Sequence, residues 1–228
     1  MSEDEVLTSS ILCYNKFMFL ELLGTKRKKL LSQLAFLKKH GFYMAGGTAL
    51  ALQIGHRTSL DFDFYTRKKF NNKELLRELE KNFKTATLIE TAEQTLIVKI
   101  NGVEVSFFHY PYPLTYPPLK IEGVYLASKE DIAAMKIIAI SDRGTRRDFI
   151  DIYFLLKEFP LEKIFEFIKK KYPNFNIYVG LRGLTFFADA EKKQTRRLYL
   201  FQSVSWPEIK KFLIKEVKNY QEKCLKQK

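Results

Sequence analysis

Phe42-Tyr-Met-Ala-Gly-Gly-Thr-Ala-Leu-Ala-Leu-Gln-Ile-Gly-His-Arg-Thr-Ser-Leu-Asp-Phe-Asp-Phe-Tyr65 reads as strand, tight turn, short helix, loop and second strand. The apolar run Phe42 to Ala45 leads into Gly46 and Gly47. Thr48 to Ile54 has helical character and Gly55 stops it. Asp61 and Asp63 alternate with Leu60, Phe62 and Phe64. Alternate strand residues point the same way, which puts the two carboxylates on one face, roughly 6–7 Å apart. Carboxylates that close repel unless a cation lies between them. Mg²⁺ answers that need, because it is typically held by one or two carboxylates plus substrate phosphates. A glycine turn opening a helix offers backbone N–H groups to phosphate. The pattern predicts metal-assisted phosphoryl or nucleotidyl transfer. Its plain alternative is an ordinary strand-turn-helix with two solvated aspartates.

Around this stretch, the 228 residues suit one large domain or two small ones. The net charge of +13 suggests a polyanionic partner such as RNA or DNA, or else simply a basic solvated surface. Cys13 and Cys224 are far apart and in no metal-ligand spacing, which fits a reducing cytoplasm better than a disulfide framework or a zinc site. No apolar run is long enough to span a membrane, and Met-Ser-Glu-Asp-Glu at the start does not resemble a signal peptide.

Asn15 to Lys39 has helical spacing, with a break at Gly24-Thr25, and its basic run Lys26 to Lys29 reads as a solvated face. Asn72 is expected to cap a charged helix running to about Phe83. Thr95–Ile100 and Val103–Phe108 form a hairpin across Asn101-Gly102. That two-residue turn sets Lys99 opposite Glu104 and Ile97 opposite Ser106. Leu96, Val98, Ile100, Val103, Val105 and Phe107 then share an apolar face. A cross-strand ion pair with Lys99 is the simplest role for Glu104. The Pro-rich run Tyr110 to Pro118 marks a boundary, predicting a sheet-containing core over 1–118 and a helical lobe over 119–228. In that lobe Ser128-x-x-Asp131 resembles a capping box. Helices are expected over Lys129–Ser141, Arg146–Phe159, Leu161–Lys171 and Asn174–Ala190, with a last one from Pro207.

Two charges stand in apolar helices. Lys136 is the lone charge among Ile132 to Ile140, and Asp151 is isolated within Phe149 to Leu156. A lysine is almost never buried without a partner. One reading makes Lys136 and Asp151 a buried interhelical pair. The other puts Lys136 at a cleft edge with its ammonium on nucleotide phosphate. Arg57, Arg143 and Arg147 offer guanidinium groups that match phosphate geometry. His56 is placed to contact substrate. Neither His56 nor His109 has a zinc-ligand companion. The glycine turn is not a Walker A loop, which requires Gly-Lys-Ser/Thr.

Taken together, these residues resemble the AbiEii/AbiGii-type nucleotidyltransferase toxins. The likeness rests on Ala45 to Leu52 with His56 to Phe64, on Phe107 to Pro113, on Leu126 to Lys136 and on Arg147-Asp-Phe-Ile-Asp151. It implies an α+β fold: a polymerase-β-like nucleotidyltransferase core, a mixed sheet flanked by helices, with a helical C-terminal lobe that brings Lys136 and Asp151 to the cleft. By motif match, Asp61 and Asp63 hold Mg²⁺ or Mn²⁺. Gly46, Gly47 and Thr48 contact the triphosphate of an NTP substrate and Ser59 matches the family's hydroxyl residue, while Arg57 and Arg147 join the nucleotide-binding set by their guanidinium chemistry. Lys136 and Asp151 complete the catalytic set. The resemblance also implies a toxin–antitoxin or phage-defence pair with an antitoxin protein, and an RNA acceptor such as the 3′ end of tRNA. A protein or small-molecule hydroxyl as acceptor, or a non-catalytic nucleotide- or RNA-binding module, are the alternatives. Enzymes of this fold usually carry a third carboxylate on a neighbouring strand, and here its natural place holds Ser106.

Overall fold

The computed structural model describes residues 18–192 and 198–226. Cys13 and the start of the expected first helix lie outside them. The chain divides into two units. One comprises residues up to Pro113 together with Pro117–Ser128, and the other comprises Leu114–Tyr116 with Lys129 onward.

The first unit is built on a seven-stranded mixed sheet in the order β3-β4-β5-β2-β1-β7-β6. Its strands are β1 (Tyr43–Ala45), β2 (Phe62–Thr66), β3 (Thr87–Ala92), β4 (Thr95–Ile100), β5 (Val103–His109), β6 (Leu119–Ile121) and β7 (Val124–Leu126). Among the described residues three α-helices accompany it: α1 (Gly24–Gln33), α2 (Gly46–Ile54) and α3 (Asn72–Asn82). A 3-10 segment, Leu34–His40, prolongs α1 until Gly41 closes it in the left-handed conformation at φ 75°. Asn71, not Asn72, caps α3, accepting from the N–H groups of Lys73 and Glu74. The β4–β5 hairpin has the expected register, with Lys99 opposite Glu104 and Ile97 opposite Ser106. Its turn residues Asn101 and Gly102 both have positive φ, as a type I′ turn requires. The six residues of the expected apolar face are all buried, between 0 and 5% exposed.

Three strands escaped the sequence. β3 is an edge strand whose six residues are all exposed, so Thr87 to Ala92 carries no period-2 signal. β6 and β7 are three residues each and turn on Glu122-Gly123, which lacks the Asn-Gly signature. Because β7 pairs in parallel with β1, residues 119–128 belong to the sheet unit. The boundary expected after Pro118 is therefore corrected to follow Ser128, with only Leu114–Tyr116 crossing early into the other unit.

The second unit is helical: α4 (Lys129–Asp142), α5 (Arg146–Glu158), α6 (Leu161–Lys171), α7 (Ile177–Thr185), α8 (Ala188–Lys192) and α9 (Trp206–Lys226). The single helix expected over Asn174–Ala190 is two helices, broken at Phe186-Phe187. Gly180 and Gly183 are the close-packing points of α7: a Cβ at Gly180 would lie 2.9 Å from Ile137 Cγ2, and one at Gly183 3.3 Å from Ser141 Cα. Asp131 is fully buried and does more than a capping residue does. It accepts from the N–H groups of Thr115 and Tyr116 and from the Thr115 hydroxyl, and pairs with Lys171 at 2.7 Å. Burial pulls the Lys171 ammonium below its ordinary range, against the opposing pull of Asp131.

Candidate active site

The glycine turn and the aspartates come together in the sheet unit. Gly46 adopts φ 75°, a conformation that costs other L-residues about 1–2 kcal/mol. A Cβ there would lie 2.8 Å from Asp63 Oδ2, so the turn and the carboxylate occupy adjoining space. A Cβ at Gly47 would lie 2.2 Å from Arg57 Nη2 and 3.4 Å from Ser59 Oγ. Arg57 is only 2% exposed, with Nη1 donating to the Thr58 carbonyl at 3.0 Å. The buried Thr48 hydroxyl donates to the Asp61 carbonyl at 2.5 Å and lies 2.8 Å from Ser59 Oγ. These bonds fasten the loop before β2 to the first turn of α2. Arg27 Nε adds a bond to the Leu60 carbonyl at 3.2 Å, giving one member of the basic run a fixed role. Gly46, Gly47, Thr48, Arg57, Ser59, Asp61 and Asp63 thus form one locally built group.

Asp63 projects from β2, and Asp61 stands one residue ahead of the strand rather than within it. Both are partly exposed. On the two flanking strands, Asp63 sits beside Ala45 of β1 and Ser106 of β5, both small. The neighbouring-strand position where the resemblance implies a third acid therefore holds Ser106. Glu104, two residues earlier on the same face, makes no hydrogen bond or ion pair among the described residues, so the expected pair with Lys99 does not form. No three His, Cys, Asp or Glu side chains gather closely enough to hold a metal among the described residues. His56 is 1% exposed, which corrects the expectation that its ring meets substrate directly.

In the helical unit Lys136 and Asp151 form the interhelical pair, at 2.6 Å. Asp148, one turn from Asp151, also binds Lys136, at 2.9 Å. Burial pushes the Asp148 carboxyl up, but Lys136, Arg143 and the Thr145 hydroxyl outweigh it and hold the group well below the carboxylate range. Asp148 stands three residues before Asp151 and so on the same side of the helix, but spacing gives no sign that it gathers Arg143 at 3.2 Å and Thr145 at 2.6 Å as well. Arg147 is half-buried and forms no ion pair among the described residues. Arg146 lies over the Trp206 ring at 4.9 Å.

The family described as "Nucleotidyl transferase AbiEii toxin, Type IV TA system" matches residues 29–222. The chain belongs to the AbiEii toxin family. As an AbiEii protein it is a nucleotidyltransferase, and the family's two-component biology implies an antitoxin partner. The uncharacterized protein aq_aa25 of Aquifex aeolicus is 37% identical over 79% of this chain and 88% of its own length. The crystal structure of JHP933 from Helicobacter pylori aligns with a TM-score of 0.56 at 20% identity, covering 100% of this chain and 96% of that one. MenT4, a nucleotidyltransferase toxin of Mycobacterium tuberculosis, aligns with a TM-score of 0.50 at 14% identity, covering 83% of this chain and 81% of its own. These likenesses bear on the fold: this AbiEii protein has the α+β, polymerase-β-like nucleotidyltransferase architecture. Among its described residues no helix is long and apolar enough to cross a membrane.

Proposed function

We propose that this toxin transfers a nucleoside monophosphate from an NTP to a hydroxyl of RNA, the 3′ end of tRNA being the acceptor that the family resemblance favours. The observation that carries the reading is the approach of Asp63 Oδ2 to the Gly46 turn, which leaves no room for a side chain between carboxylate and backbone. A phosphate cradled by the first N–H groups of α2 would then lie against that carboxylate. In the reaction the acceptor hydroxyl gives up its proton to water and its oxygen bonds to the α-phosphorus, while the bond from that phosphorus to the oxygen bridging to the β-phosphate breaks and pyrophosphate leaves.

Asp61 and Asp63 are the residues that would hold Mg²⁺ or Mn²⁺. Two carboxylates with an adjoining phosphate cradle are a donor set that suits such an ion. When bound, the ion would offset charge on the phosphate oxygens in the transition state. Thr48 holds the Asp61 backbone in place through its hydroxyl. Arg57 keeps a fixed cation at the base of the glycine turn. Ser59 offers a hydroxyl and Arg147 a guanidinium as further phosphate contacts. Lys136 and Asp151 enter this proposal through their chemistry: an ammonium clamped by two carboxylates can exchange one of them for a phosphate oxygen. The net charge of +13 supports a polyanionic acceptor, whose binding then weakens steeply with salt. Action within a cytoplasmic toxin–antitoxin or phage-defence pair belongs to the same reading.

The test is incubation with α-labelled NTPs, Mg²⁺ or Mn²⁺ and total RNA, for the wild type and Asp63→Asn. Label in RNA with wild type alone is the expected result; no transfer, or equal transfer by the variant, refutes it. Ser106 beside Asp63 keeps a second reading in view, a module that binds nucleotide without turning it over. NTP binding by wild type with no label in RNA, protein or small molecules would favour it.

A further inference from the structure

The sheet face that carries Asp63 changes character one row further along. Register sets Ala45, Asp63 and Ser106 side by side across β1, β2 and β5. The next residues on the same face are Tyr43, Tyr65 and Phe108, again side by side. Two strand residues advance about 6–7 Å, so a row of rings borders the row holding the carboxylate. Ala45 and Ser106 are small and buried, and the row of rings borders them along the strands.

The rings continue off the sheet. Tyr43 and Tyr65 stack with centroids 6.1 Å apart, and Tyr65 meets Phe108 at 5.3 Å and Tyr110 at 5.5 Å. Tyr110 in turn meets Tyr112 at 5.3 Å. The Tyr110 N–H donates to the Thr66 carbonyl at 2.7 Å, so this ring is fixed to the end of β2. Pro111 and Pro113 flank Tyr112 and restrict its backbone. The series starts at a buried ring and ends at Tyr112, which is 42% exposed on a stiff segment. Tyr112 is a partly exposed ring joined through Tyr110 and Tyr65 to the row that borders Asp63, and it offers a face for stacking. Every nucleobase has a π-face, and aromatic side chains stack bases with little dependence on sequence.

We propose that the Tyr65–Tyr110–Tyr112 shelf stacks a nucleobase of the substrate, with Tyr112 as the contacting ring. The proposal rests on the nucleotidyl-transfer reading for what the base belongs to, either the incoming NTP or the acceptor RNA. Two binding titrations separate these sources without requiring turnover. In the first, wild type, Tyr112→Ala, Tyr112→Leu and Tyr112→Trp are titrated with a fluorescent NTP, and with inorganic tripolyphosphate as the competitor that has no base. In the second, the same proteins are titrated with a labelled single-stranded RNA and its counterpart with an abasic 3′ end.

Alanine and leucine should weaken one base-bearing probe by roughly tenfold, while tryptophan retains wild-type binding. Tripolyphosphate and the abasic RNA should bind all four proteins alike. Leucine keeps apolar bulk, so a packing role would spare Tyr112→Leu. Unchanged binding of both base-bearing probes by Tyr112→Ala overturns the shelf. So does equal weakening of the probes that lack the base, or failure of wild type to bind either probe. Base-dependent binding with no transfer would leave the shelf standing and remove the transfer reading. Transfer with normal binding by Tyr112→Ala would do the reverse.

Discussion

Gly46→Ala separates backbone strain from site geometry. At φ 75° the new side chain imposes about 1–2 kcal/mol of strain. In a protein of this size that lowers the melting temperature by roughly 2–8 °C. Its Cβ would also sit 2.8 Å from Asp63 Oδ2, and ordinary contact begins at 3.4 Å, so the carboxylate must retreat by about 0.6 Å. A misplacement of about 1 Å can cost ~100-fold in rate. A fall of roughly 10- to 100-fold is therefore expected in transfer of α-labelled NMP. Gly102→Ala is the control: its φ is 82°, and a Cβ there meets nothing within 4 Å. It should lose comparable stability and keep its activity. Thermal unfolding and initial transfer rates, measured on both variants, give the comparison. Wild-type transfer by Gly46→Ala would refute the placement of Asp63 against the turn. An equal loss of activity in Gly102→Ala would show that strain alone suffices.

Asp148→Asn tests the charge cluster through pH. The folded-state pKa of Asp148 is held below its unfolded value, so its contribution is complete above about pH 3.9 and vanishes as pH falls through the folded value. Chemical unfolding should separate wild type from the variant by about 2 kcal/mol near neutrality, with the two converging in acid; a gap that is constant with pH contradicts this. Lys171→Met strands the fully buried Asp131 without its cation. Its unfolding free energy should drop by about 3–5 kcal/mol, and an unshifted urea midpoint would show the pair to be dispensable.

How much of this was legible in the sequence varies with the range of the interaction involved. The Asn101-Gly102 turn dictated the β4–β5 register because the turn conformation is local, and every expected partner across the hairpin is present. The apolar alternation on β4 and β5 correctly separated the apolar core face from the one bearing Ser106, because side-chain direction in a strand follows parity. β3 carried no such signal, since an edge strand with both faces wet needs no alternation. The lack of an ion pair between Lys99 and Glu104 was equally hidden. Register brings two residues opposite, but whether flexible exposed side chains then join depends on a small balance of Coulomb attraction and entropy.

The sequence by itself determined the glycine turn, the place of Asp63 within its strand and the helical positions of Lys136 and Asp151, and it carried the family resemblance. All of these are set by local period or by residue type. Only the tertiary structure decided that Gly46 lies against Asp63, that Gly47 lies against Arg57, that Asp148 joins Lys136, and that an aromatic row borders the carboxylate row. The physical reason is range. Dihedral preference and side-chain alternation act between neighbours in the chain, whereas these contacts arise when the pairing of β2 with β1 and β5 and the packing of α4 on α5 bring more distant residues together.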